Sequence, residues 1–110
     1  MDKSVQTYAS LQTELAGTYA TPETKTSSVM FVSAYERFFL YLKITSGIVG
    51  KVYFDYSHDG VNFVTDGAGT TINVSTTDNV IQANCGSYLR IRITATTGGV
   101  MATVYGEAKT

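Results

Sequence analysis

The chain has one histidine and one cysteine, so any nucleophilic or general-base chemistry must draw on very few side chains. Cys85 follows Asn84 and precedes Gly86, where a lone thiol reads as a small loop or core residue. Without a second cysteine it forms no disulfide within the chain and no thiolate metal cluster. His58 lies in the run Asp55-Tyr56-Ser57-His58-Asp59-Gly60. Two carboxylates and an imidazole this close are a ligand set for a divalent cation, Ca²⁺ where oxygen ligands dominate. The competing reading is stronger. Asp59-Gly60 is a turn signal in which Asp hydrogen-bonds backbone, and Asp55 belongs to a strand. Gly67-Ala68-Gly69 and Gly98-Gly99 read as turns, since neither opens a helix or is followed by a phosphate-reaching Lys. No catalytic residue, metal or cofactor is expected, and the chain is read as a non-enzyme.

Charge narrows the partners. Arg90 and Arg92 share one strand face, and Lys43, Lys51, Tyr53 and Tyr88 could extend them into a basic, aromatic strip. With a net charge of −1 and a pI near 5.7, the chain lacks the electrostatic footprint of a nucleic-acid binder. That face is expected to be salt-bridged or to contact protein. Met1-Asp2-Lys3-Ser4 has no basic flank and no apolar run after it. Neither a signal peptide nor a membrane partner is therefore expected, and synthesis is placed in the cytoplasm. On the same ground the sequon Asn73-Val74-Ser75 is taken as chance.

The elements that position these residues fall into two parts. Residues 1–28 are rich in Thr and Ser, with Tyr8, Leu11, Leu15 and Tyr19 at helical spacing. So short a stripe needs a partner surface to stay ordered, which predicts an N-terminal arm with a short helix over 8–19. From residue 29 to 110 the pattern has period two. Phe38, Leu40, Leu42 and Ile44 face one way, as do Val52, Phe54 and Tyr56. Leu89, Ile91, Ile93 and Ala95 repeat the pattern, followed by Val100, Ala102 and Val104. About eight strands separated by turn signals predict an all-β, antiparallel β-sandwich, jelly-roll or Ig-like, behind the arm.

The aromatics exceed what one core needs. Eight Tyr and five Phe are present, and Phe39, Tyr41, Tyr53 and Tyr105 fall on the faces opposite the core. With only 15% charged residues against about 25% in an average domain, this surplus predicts a second covered surface. The interface residues expected are Tyr8, Leu11, Leu15, Tyr19, Phe39, Tyr41, Tyr53, Arg90, Arg92 and Tyr105.

The run Val52-Tyr53-Phe54-Asp55-Tyr56-Ser57-His58-Asp59-Gly60-Val61-Asn62-Phe63 resembles a hairpin of small β-sandwich virion proteins of tailed bacteriophages. Leu40–Gly47 and Tyr88–Thr94 fit the same layout, so the resemblance spans roughly residues 29–108. It implies a capsid decoration (cement) or auxiliary protein, located in the virion and assembling with the major capsid protein and with copies of itself. A tail or fibre accessory fits the same likeness. The Tyr56–Gly60 signature is also similar to discoidin-like, galactose-binding jelly rolls and other carbohydrate-binding modules. That alternative implies exposed tyrosines stacking on sugar rings beside Asp59 and Asn62.

Overall fold

The computed structural model describes residues 5–72 and 78–110; the Asn73 sequon lies outside them. Two antiparallel sheets pack face to face, and the all-β sandwich read from the alternation is the observed fold class. The first sheet runs β1 (Val5–Thr7), β11 (Gly99–Lys109), β5 (Arg37–Ser46), β9 (Asp78–Asn84), with β2 (Gly17–Tyr19) also on β11. The second runs β3 (Glu23–Thr26), β10 (Tyr88–Thr97), β6 (Val49–Ser57), β7 (Val64–Thr65). Here β4 (Met30–Phe31) also pairs with β10, and β8 (Thr70–Ile72) with β6. More than the expected eight segments are present because residues 5–26 supply three short strands of their own, β1, β2 and β3.

Between the layers, alternation does what period two dictates. Phe38, Leu40, Leu42, Ile44, Val52, Phe54, Leu89, Ile91 and Ile93 are buried from both sheets. Each large side chain stabilises the core by about 1.5–3 kcal/mol. Three expected core positions need correction. Tyr56 is only half-buried, and so are Val100 and Ala102, while Met101 is fully buried. The register of β11 against β5 shifts on both sides of Met101, and a bulge there turns the strand face over.

The N-terminal segment, expected as an arm, is built into the body. Helix α1 (Ser10–Leu15) buries Leu11 and Leu15 completely, and Tyr19 closes behind them from β2. The Gln12 side chain explains why the helix sits there. Its Nε2 donates to the Ala102 carbonyl at 3.0 Å, and its Oε1 accepts from the Val104 amide at 2.8 Å. These are backbone groups beside the bulge, which would otherwise lack a partner. Gly106 permits the close approach, because a Cβ there would stand 2.3 Å from Leu11 Cδ1. Helix α1 thus stoppers one lateral opening of the sandwich, between β11 and β3. The opposite opening lies between β9 and the β7–β8 edge.

Candidate functional site

The outer faces of the two sheets carry the surplus aromatics, and they use them differently. On the second sheet, Asp55 is fully buried although it points away from the core. Arg90 donates to its Oδ2 through Nε and Nη2 at 3.1 and 3.0 Å. Arg92 reaches the same oxygen at 2.7 Å and Oδ1 at 3.2 Å, while the Thr65 hydroxyl donates to Oδ1 at 2.7 Å. Burial pushes the Asp55 carboxyl up, but the hydrogen bonds from Arg92, Thr65 and Arg90 outweigh it and leave the pKa below the ordinary value. Each guanidinium also covers a ring: Arg90 lies 4.2 Å from the Phe63 centroid and Arg92 4.7 Å from that of Tyr53. Tyr88 is flanked by Phe31, 5.1 Å away, and by the backbone of Gly60. Tyr53, Phe63 and the two arginines of this face are spent on each other, while Phe31 at its edge remains 60% exposed.

The first sheet presents an open face. In register across β11, β5 and β9 stand Tyr105, Tyr41 and Val80, and in the next row Glu107, Phe39 and Gln82. The Tyr41 and Tyr105 rings lie 5.6 Å apart, tilted by 51°. Both hydroxyls donate to Glu107, Tyr41 to Oε1 at 3.1 Å and Tyr105 to Oε2 at 3.2 Å. Lys109 pairs with the same carboxylate at 2.9 Å and sits 5.0 Å from the Phe39 centroid. The Lys109 hydrogen bond holds the Glu107 carboxyl below its usual value, helped by the two tyrosines. Partial burial and the Glu107 contact raise both tyrosines. One ionised carboxylate therefore fixes two rings side by side. Tyr105 remains 39% exposed and Val80 63%.

The other expected site residues fall elsewhere. Leu11, Leu15 and Tyr19 are core residues and offer nothing to a partner. Tyr8 packs against Phe38 at 5.8 Å and donates its hydroxyl to the Phe31 carbonyl. No single basic strip forms, because Lys43 lies on the first sheet, paired with Asp78, while Lys51, Arg90 and Arg92 lie on the second. Asp55 and Asp59 do not converge. Asp59 is consumed by its own turn, where the amides of Asn62 and Val61, the Asn62 side chain and the Ser57 hydroxyl all donate to it. Those bonds pull its pKa far below the ordinary value. The second hairpin arm consequently begins at Val64 and not at Val61. Cys85 is buried, which pushes its thiol up and makes it a poor nucleophile. Glu107, Lys109, Val80 and Gln82 were not anticipated. Glu107 and Lys109 share the parity of Tyr105, whereas Val80 and Gln82 come into place only through β5–β9 pairing.

Fold and faces together define a two-layer antiparallel β-sandwich with aromatic rings on its outer sheet surfaces. The sequence matches no protein-family model and no curated protein. Among solved structures it is similar to the CBM35 of Cellvibrio japonicus Abf62, with a TM-score of 0.51 and 14% identity over 94% of this chain and 92% of that one. That neighbour is a carbohydrate-binding module. The virion decoration reading is corrected here. Its strand layout is also that of this module, and Leu11, Leu15 and Tyr19, which it assigned to contacts with other subunits, lie in the chain's own core.

Proposed function

We propose that the chain is a non-catalytic carbohydrate-binding module that engages glycan on the outer face of the first sheet. The observation that carries this reading is the Tyr41–Tyr105 pair fixed by Glu107. Sugar rings have apolar faces edged by hydroxyls, so they are recognised by aromatic planes beside hydrogen-bonding groups. Tyr41, Tyr105 and Phe39 supply the planes, and Gln82 and Glu107 supply the polar edge. Because the tyrosines are already held, little side-chain entropy is lost when a ligand settles on them. Likeness to a carbohydrate-binding sandwich supports the reading at the level of fold.

Isothermal titration against a panel of soluble polysaccharides tests it. Wild type is expected to bind at least one of them, and Tyr41→Ala and Tyr105→Ala each to weaken it about tenfold, or about 1.4 kcal/mol. Binding that survives both substitutions would remove this face from the function.

A further inference from the structure

The sandwich has two lateral openings, and α1 fills the one between β11 and β3. At the other lies a cleft of about 420 Å³. Val52 and Phe54 of β6 and Ala83 of β9 form its apolar floor, with Gln82, Asn84, Asp66 and Thr70 at the rim and the 67–69 backbone closing one side. We propose that this cleft is a second glycan subsite, continuous with the aromatic face, that takes one end residue or side branch of a neutral oligosaccharide. The proposal rests on the carbohydrate-binding reading and extends it to a site of different shape.

Three observations carry it. First, Gln82 belongs to both places: it is in register beside Phe39 on the open face, and it lines the cleft. A ligand crossing from Tyr105 to β9 covers two strand spacings, about 10 Å, and arrives at the cleft rim. Second, the loop that forms one wall is already held. The Asp66 amide donates to the Phe54 carbonyl at 3.0 Å, and Lys51 Nζ donates to the Ala68 carbonyl at 3.3 Å. Gly69, at a φ of +85°, lies so close to the Tyr53 ring that a Cβ would be 2.7 Å from it. A preformed wall costs little ordering on binding. Third, the chemistry suits a neutral polyol. Exposed carboxamide, hydroxyl and carboxylate groups, over a floor in which Val52 and Phe54 are buried, offer both donors and acceptors to hydroxyls. The Asp66 carboxylate at the rim disfavours an anionic sugar, and on the adjoining face Glu107–Lys109 and Lys43–Asp78 are already paired.

The test measures affinity against ligand length, using neutral gluco-, manno-, xylo- and galacto-oligosaccharides of one to six residues. In wild type the best series is expected to gain about tenfold once the ligand is long enough to reach past Gln82. Asn84→Ala, and Ala68→Trp, which places a bulky ring at the exposed cleft mouth, should each abolish that gain. Affinity for shorter members should stay unchanged and the melting temperature close to wild type. Tyr41→Ala should instead weaken short and long members alike. A length gain that persists in both cleft variants, or no gain in wild type, overturns the subsite and leaves the aromatic face intact. Failure of wild type to bind any member of the series or any polysaccharide overturns both.

Discussion

The two outer faces start from similar materials, aromatics interleaved with charges on alternate strand positions, and reach opposite ends. On the second sheet two guanidiniums converge on one buried carboxylate and lie over Phe63 and Tyr53. On the first, one carboxylate takes two tyrosine hydroxyls and a lysine; Tyr41 and Phe39 are half-buried and Tyr105 stays open to solvent. Geometry makes the difference. Two arginine forks each cover a ring while bonding Asp55, whereas the one lysine of the first face lies over Phe39 and leaves Tyr105 uncovered. Aromatic content alone does not mark a binding face; what covers the rings does.

The comparison breaks most readily at Asp55. Asp55→Ala leaves Arg90 and Arg92, each with about 30% of its side chain exposed, facing one another without a counter-charge. A loss of about 3 kcal/mol is expected, at the low end for a broken buried pair because the arginines can turn toward water. Urea unfolding measures it, and a change under 1 kcal/mol would mean that the second face is not structural. Next in size is the effect of Tyr41→Ala and Tyr105→Ala together. They should weaken glycan binding by more than tenfold while shifting stability by about 1 kcal/mol or less, the reverse of Asp55→Ala.

Smaller still is the effect of Glu107→Gln. It removes the charge that holds both hydroxyls and that helps raise both tyrosines. Ultraviolet titration should show those tyrosines ionising closer to their ordinary value of 10.0, with binding weakened about threefold, or about 0.7 kcal/mol. Unmoved tyrosine titration would show that Glu107 does not hold them.

Acid sharpens the contrast with the least effect near neutrality. Asp55 titrates lower in the folded state than the model-peptide value of 3.8. Its stabilising contribution is therefore complete above that value and is lost as pH falls through the folded pKa. The stability gap between wild type and Asp55→Asn should be flat above about pH 5 and close below it. A gap that widens on acidification would have the sign wrong.

Much of this was legible in the sequence, and the failures have local causes. Period two in β5, β6 and β10 gave the core and, by elimination, the outward Phe39, Tyr41 and Tyr53. At Met101 a bulge of one residue reversed the faces, and nothing in Val100-Met101-Ala102 announces it. The Tyr8–Tyr19 stripe showed that a surface had to be covered, but not whose; the answer, β11 of the same chain, depends on contacts some ninety positions away. Arg90 and Arg92 were recognisable as a pair, yet parity cannot show that they close over Asp55. The cleft was invisible, since it joins β9, β6 and the 66–70 loop across two sheets.

The most direct test maps where glycan lands. Amide and aromatic NMR shifts recorded during titration with the best-binding soluble polysaccharide should move at Phe39, Tyr41, Val80, Gln82 and Tyr105. Tyr53, Phe63, Arg90 and Arg92 should stay still. Shifts concentrated on the Asp55 face, with Tyr41 and Tyr105 unmoved, would contradict the assignment of the open face to binding and the closed one to structure.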